Sequence, residues 1–166
     1  MENAITGLII IGVMVLAILG LAEGSLTAQA NIAEAARTMQ TRLTDIARTN
    51  VQALSASTSA LGDMVYITVK NTGTTKLADY AHWDVIVEYT DAGLADHVDW
   101  YAYGTWLRQI YQTAPATLEK IEPNILNPGE EMIITVPVAF TIAPGSTNVA
   151  TVATPNGIAA SIIFVR

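Results

Sequence analysis

The chain has 166 residues, which is enough for one ordinary domain and one additional element. Its formal net charge is −7 and it has no basic cluster to neutralise phosphates, so the composition argues against nucleic-acid binding. The absence of cysteine excludes disulfides and thiolate metal sites.

Residues 3–22 form an uncharged apolar stretch. A helix of about 20 residues is long enough to cross the hydrocarbon core of a bilayer. Because large aliphatic side chains would lie on every side of this helix, one amphipathic contact cannot cover them, and the stretch requires lipid or surrounding helices. The residues that we expect to pack against other helices are Ile5, Leu8, Ile9, Gly12, Val13, Leu16, Leu19, Gly20 and Gly24. The spacing of Gly20 and Gly24 either lets helix backbones approach closely or reflects the higher frequency of glycine in membrane helices.

Three interpretations of this stretch are possible. A cleaved signal peptide would use Ala28-Gln29-Ala30 as its cleavage site, but no positive charge precedes the apolar run, which is also unusually long. A plain membrane anchor would place Arg37, Arg42 and Arg48 in the cytoplasm, which conflicts with an exported C-terminal domain. We favour a mature subunit whose short basic leader has been removed, and which leaves the membrane to pack against copies of itself.

The helix is expected to continue, so that residues 1–54 form one long element with an amphipathic part at 25–54. This part is rich in good helix formers. Its apolar positions recur in steps of four and three at Ile32, Ala36, Met39, Leu43 and Ile46. Residues 55–62, with the sequence SASTSALG, are expected to form a linker.

Residues 63–166 change to the alternating pattern of β-strands. Strands are predicted at 64–70, 83–90, 98–103, 132–142, 149–153 and 158–165, with turn sequences between them. Pro137, within the fourth of these, indicates an edge strand or a bulge. The predicted class is therefore α+β: one long N-terminal helix followed by an antiparallel, immunoglobulin-like β-sandwich.

Two stretches of the predicted sandwich carry a family resemblance. VYITVKNTGTTKL at 65–77 and LNPGEEMIITV at 126–136, together with the apolar helix, resemble archaellins, the filament subunits of the archaeal motility organelle, which are related to type IV pilins. The resemblance implies an extracellular filament on the cell surface, built as a homopolymer of identical subunits. It also implies a membrane-inserted precursor, a leader peptidase, and a secretion and assembly machinery. An adhesive type IV-like pilin and a membrane-anchored, pilin-like stator or binding module remain as alternatives.

Three carboxylates lie close together in the sequence beside a histidine. Asp91, Asp96 and Asp99 offer oxygens to a hard cation such as calcium, with His97 between them. Their spacing lacks the glycine and the distal glutamate of an EF-hand loop, and a solvated acidic loop fits the sequence better. No nucleophile motif or glycine-rich phosphate loop occurs, so we expect neither enzymatic activity nor a cofactor.

Aromatic residues are concentrated between residues 100 and 111. This stretch carries no family resemblance, and insertions in a sandwich usually form surface loops. Exposed clustered aromatics need a partner that covers them. We expect some of these rings to lie in the domain core and at least one to contact a neighbouring outer domain. The candidates for that interface are Trp100, Tyr101, Tyr103 and Trp106.

Overall fold

The computed structural model describes residues 2–166, with the side chains from residue 5 onward. Residue 1 and the side chains of residues 2–4, which include the start of the predicted apolar run, lie outside this description. The chain divides into two units, the first ending at Leu43 and the second comprising Thr44–Arg166.

The first unit is helical. It belongs to α1 (Glu2–Arg48), a helix of 47 residues. No proline precedes Pro115 and no glycine lies between Gly24 and Gly62, so residues that would break the helix are missing from its C-terminal half. The long helix predicted from the sequence is confirmed.

The end of the helix differs from the prediction. α1 ends at Arg48 rather than at residue 54, and residues 51–58, which include the first half of the predicted linker, form strand β1 (Val51–Thr58). The strand pairs in antiparallel fashion with β2 (Met64–Asn71), and Val51 is buried in the core. The prediction was wrong because β1 consists mainly of Ala, Ser and Thr, whose strand preference is weak without a pairing partner.

The second unit is a sandwich of two antiparallel sheets. The remaining strands are β3 (Asp84–Thr90), β4 (Asp96–Tyr101), β5 (Leu107–Thr113), β6 (Thr117–Leu118), β7 (Glu131–Pro137), β8 (Thr147–Ala153) and β9 (Ala159–Val165). One sheet has the strand order β1-β2-β7-β5-β6 and the other has the order β4-β3-β8-β9. The predicted fold class is thus confirmed.

Several strand predictions need correction. The sequence did not indicate β5 or β6, and the strand predicted at 132–142 ends at Pro137. Pro137 has no N–H to continue the pairing, so it terminates β7. It does not mark an edge, because β7 lies between β2 and β5.

The hydrophobic core lies between the two sheets. Alternate residues of each central strand point inward: Val65, Ile67 and Val69 in β2 and Val85 and Val87 in β3 are each 0% exposed. The same alternation places Met132, Ile134 and Val136 of β7 and Ala150 and Val152 of β8 in this core. The sandwich therefore buries the inward-facing apolar residues of both sheets within one chain.

The two stretches that resemble archaellins meet at Asn71. Its buried side-chain amide donates a hydrogen bond to the carbonyl oxygen of Leu126 (2.9 Å). Its Oδ1 accepts the N–H of Gly73 (3.0 Å), and its carbonyl oxygen accepts the N–H of Gly129 (2.7 Å). The two sequence motifs therefore form one buried polar junction of the sandwich.

Candidate functional site

The apolar part of α1 is exposed around its whole circumference. Among the residues expected to pack against other helices, the six large side chains are 55–75% exposed, and a Cβ at each of the three glycines would meet nothing within 4 Å. The described chain thus covers none of these nine positions, which are Ile5, Leu8, Ile9, Gly12, Val13, Leu16, Leu19, Gly20 and Gly24. At about 2 kcal/mol for each buried side chain, covering the six large ones would contribute on the order of 12 kcal/mol.

By its length and composition, α1 is also able to cross a membrane. Its most apolar window has a mean hydropathy of 2.8, and no part of that window is buried in the described chain. A surface of this kind has two possible coverings, the hydrocarbon of a bilayer or the helices of other molecules.

The structure divides the four aromatic interface candidates into two pairs. Trp100 is 61% exposed and Tyr103 is 50% exposed, whereas Tyr101 and Trp106 are 9% and 4% exposed. Tyr101 ends β4 and Trp106 directly precedes β5, so much of the expected surface loop belongs to the sheets. Trp106 and Tyr101 are core residues of this domain, and Trp100 and Tyr103 are the members available to a neighbour.

Asp99 belongs to a hydrogen-bonded group with two tyrosines. Its Oδ2 accepts hydrogen bonds from the hydroxyls of Tyr89 (2.8 Å) and Tyr101 (3.3 Å). The pKa of Tyr89 is raised to about 12, mainly by burial and secondly by the hydrogen bond to this carboxylate. Burial is also the main cause of the raised pKa of Tyr101. The carboxylate of Asp99 is therefore used as the hydrogen-bond acceptor for two tyrosine hydroxyls of the sandwich.

Asp91 and Asp96 have other partners. Asp91 contacts the Nε2 of His97 through Oδ2 (2.9 Å), and its Oδ1 accepts the N–H groups of Gly93 (2.8 Å) and Ala95 (2.9 Å). The hydrogen bond with His97 is the main reason why the pKa of Asp91 is lowered. Asp96 accepts the hydroxyl of Thr90 (2.8 Å).

The three predicted carboxylates do not converge on one point. Asp96 and Asp99 lie an odd number of positions apart on β4, so their side chains occupy opposite faces of the sheet. No group of three or more His, Asp or Glu side chains suited to a metal ion occurs among the residues that the structure describes. The acidic turn, residues 91–95 between β3 and β4, is held together by the hydrogen bonds of Asp91.

Strand pairing creates an apolar surface that the sequence analysis missed. Val98 and Trp100 of β4 and Ile163 and Val165 of β9 are 60–71% exposed on the outer face of the four-stranded sheet. The alternation of β9 was the available signal, but it did not show which of its faces is turned outward. The strands of this sheet contain no Lys or Arg, and the carboxylates on the same outer face are Asp84, Glu88 and Asp96.

A second exposed surface lies on the five-stranded sheet. Leu107 is 74% exposed, and Tyr66, Ile133 and Thr135 border the same open groove, whose volume is about 620 Å³. The two sheets turn their outer faces in opposite directions, so one domain is able to contact neighbours on two sides.

A long apolar helix followed by two antiparallel sheets of this topology defines an archaellin-like fold, and the chain has that fold. Among solved structures, the chain is similar to archaeal flagellin FlaB1 from Methanocaldococcus jannaschii, with a TM-score of 0.54 and 13% identity over 70% of this chain and 89% of that one. It is similar to the archaeal flagellum of Methanospirillum hungatei strain JF1, with a TM-score of 0.54 and 14% identity over 93% of this chain and 90% of that one. It is also similar to the archaellum periplasmic stator protein FlaG from Sulfolobus acidocaldarius, with a TM-score of 0.53 and 17% identity over 70% of this chain and 99% of that one.

No protein-family model matches the chain, and no curated protein matches it in sequence. At 13–17% identity the structural matches show the fold. Their coverage is still informative, because Val51–Arg166 alone cannot provide the 93% matched by the Methanospirillum flagellum. That match extends well into α1, so it includes both the helix and the sandwich.

Proposed function

We propose that this chain is the structural subunit of an extracellular helical filament of the archaellum type. In this filament the α1 helices form a central bundle and the sandwiches form the outer wall. The observation that carries the proposal is the fully exposed apolar part of α1 in a chain whose sandwich already buries a core of its own. The proposal assigns no catalytic role and no cofactor.

The same helix suits both stages of such a life cycle. Before assembly, lipid covers its uncharged run, and a leader peptidase and an assembly machinery release it into the filament. After assembly, other copies of α1 replace the lipid, and a homopolymer supplies apolar helices on every side. The fold match to the Methanospirillum flagellum, which reaches into α1, supports this use of the helix.

A second candidate is a membrane-anchored module of a stator. The match to the periplasmic stator protein FlaG favours it, because the alignment covers 99% of that chain. In this case α1 keeps its lipid and the sandwich acts as a single binding domain. The two candidates therefore differ in what covers the same residues of α1.

Electron microscopy of sheared cell-surface material tests the proposal. We expect helical filaments in which this chain is the repeating subunit, with α1 at the centre of the cross-section. Recovery of the chain only in the membrane fraction, with no filament containing it, would overturn the proposal in favour of the stator module.

A further inference from the structure

Trp100 is the largest side chain exposed on the outer face of the four-stranded sheet, which we call the four-stranded face. Its indole N–H donates a hydrogen bond to Oδ1 of Asp84 (2.8 Å). Strand pairing sets Ile86 directly beside Trp100, so Asp84 and Glu88 are its diagonal neighbours on the same face. Because the hydrogen bond already restricts the ring, little rotamer freedom is lost when a partner covers it.

The charges of the four-stranded face disfavour contact with an identical face. All the charged residues that its strands turn outward are carboxylates, and these strands contain no Lys or Arg. Glu88 lies between Val98 and Val149 in one row across the sheet, and it forms no ion pair within the described part of the chain. Two such faces in contact would set carboxylates against carboxylates, which opposes association. A suitable partner is therefore apolar and offers a cation.

The outer face of the five-stranded sheet, which we call the five-stranded face, provides the apolar surface. Tyr66, Leu107 and Ile133 border its groove of about 620 Å³, which is large enough for an indole ring. Leu107 is exposed at one side of this groove, and within the described chain nothing covers it. The groove therefore fits the ring of Trp100 by size and by polarity.

The five-stranded face also provides the cation. The described strands of this sheet turn only two charged residues outward, Lys70 and Glu131. The carboxylate of Glu131 is 10% exposed, and it accepts hydrogen bonds from Nζ of Lys70 (3.2 Å) and from the N–H of Ala114 (2.9 Å). The side chain of Lys70 is 36% exposed. The charge that this face presents to solvent is therefore positive.

The aromatic and charged positions of the two faces have matching spacings. Glu88 is a diagonal neighbour of Trp100 on the four-stranded face. On the five-stranded face, Ile133 pairs with Thr68, so Lys70 is a diagonal neighbour of Ile133. Diagonal neighbours in a sheet lie about 7–8 Å apart. One orientation of the two faces thus seats Trp100 over Ile133 and brings Glu88 close to Lys70.

We propose that outer domains of neighbouring copies pack head to tail, with the four-stranded face of one copy on the five-stranded face of the next. Trp100 enters the groove beside Leu107, and Glu88 pairs with Lys70 of the next copy. This inference rests on the proposed filament function, which supplies identical copies at high local concentration. Because each domain carries both faces on opposite sides, the contact is heterologous and repeats from copy to copy.

Cross-linking in assembled full-length filaments tests the contact, since the chain has no native cysteine. Val98 flanks Trp100 on β4, and Leu107 borders the groove. In one chain these side chains point away from each other on sheets about 10 Å apart, so a short bis-maleimide can link them only between molecules. We expect Val98→Cys/Leu107→Cys to give a ladder of covalent oligomers under denaturing conditions. Each single-cysteine variant is a matched control and should give no cross-linked product.

Charge reversal tests the ion pair. Glu88→Lys sets a second cation against Lys70, and we expect it to reduce filament yield at least about tenfold. Glu88→Gln removes the charge without reversing it and should have a smaller effect. Asp79→Lys makes the same change of charge in the loop between β2 and β3, off both faces, and should polymerise normally. Circular dichroism in detergent verifies that each variant is folded.

The outcomes separate this contact from the filament function. If the wild-type chain forms no filament, the filament function is wrong and the contact falls with it. If wild-type filaments form but the double-cysteine variant gives no ladder, or Glu88→Lys polymerises normally, the head-to-tail contact is wrong and the filament function stands. Covalent dimers from Val98→Cys alone would show that two four-stranded faces meet, which also overturns the contact.

Discussion

The two units use the same aliphatic residue types in opposite ways. In the first unit Leu16 is 70% exposed and Leu19 is 55% exposed, whereas Ile67 and Ile134 in the sandwich are 0% exposed. In the sandwich, the inward-facing side chains of each sheet pack against the other sheet of the same chain. The helix has no second layer of its own within the first unit, so its apolar surface must be covered from outside. This contrast separates the residues that determine folding of the sandwich from those that lipid or other helices must cover.

The largest expected effect is on assembly, without a change in domain stability. Val13, which is 61% exposed in the isolated chain, is replaced by Asp. A carboxylate buried without a partner between helices costs several kcal/mol, so we expect no filaments. Thermal unfolding of the sandwich should match the wild type, and Val13→Leu should assemble normally. Normal filaments of the Asp variant would show that position 13 is not enclosed in the assembly.

The boundary between the units can be tested by truncation. A fragment comprising residues 44–166 should be monomeric and unfold cooperatively, because it contains all of β1. A fragment that starts at residue 55 lacks the buried Val51 and three of the seven residue pairs between β1 and β2. We expect it to lose at least about 3 kcal/mol of stability, from lost burial and unpaired backbone groups. Equal denaturation midpoints for the two fragments would show that the first half of β1 does not contribute to the domain.

The two tryptophans of the aromatic stretch should behave differently. Trp106→Ala removes a 4% exposed core side chain and should destabilise the 44–166 fragment by about 3–5 kcal/mol. Trp100→Ala should leave the fragment within about 0.5 kcal/mol of wild type, because that ring is 61% exposed. In filaments, Trp100→Ala should weaken the contact by about 2 kcal/mol if the ring is an interface hot spot. An unchanged filament melting temperature would show that Trp100 faces solvent in the assembly.

The sequence predicted those elements whose residues have strong local preferences. The uncharged run predicted α1, and the β-branched alternation in MVYITVK and WDVIVEYT predicted β2 and β3. It failed for β1, where Ala and Ser become a strand only because β2 lies beside them, and for the polar β5, LRQIYQT. These elements are determined by long-range pairing, which local patterns do not encode.

The candidate surfaces were predictable to different degrees. Exposure of the apolar part of α1 follows from its composition, because no other element of this chain is long enough to enclose it. The assignment of Trp106 to the core and Trp100 to the surface depends on the register of β4 and β5. Similarly, the apolar outer face of β9 depends on which side of its sheet faces the core. A pattern of alternation gives the period of a strand but not its orientation.

The smallest expected effect concerns the acidic turn between β3 and β4, where the side chain of Asp91 is only 16% exposed beside His97. The imidazole of His97 stacks between Tyr89, with ring centroids 5.1 Å apart, and Phe140, at 4.7 Å. The hydrogen bond to His97 lowers the pKa of Asp91, so the folded state binds this proton less readily than the unfolded state does.

The sign of the pH dependence follows from that lowered pKa. The stabilisation by Asp91 is complete above the unfolded pKa of about 3.9, and it is lost as the pH falls through the lower folded value. Asp91→Asn keeps an amide oxygen that accepts the N–H groups of Gly93 and Ala95, but it removes the charge. We therefore expect the 44–166 fragment to melt at a higher temperature than its Asn variant at pH 5, with the difference closing as the pH falls below about 4. The measurement is a series of thermal melts by circular dichroism, with Asp96→Asn in the same strand pair as the control for the general acid response. A difference that stays constant down to pH 2 would show that the charge of Asp91 does not stabilise this turn.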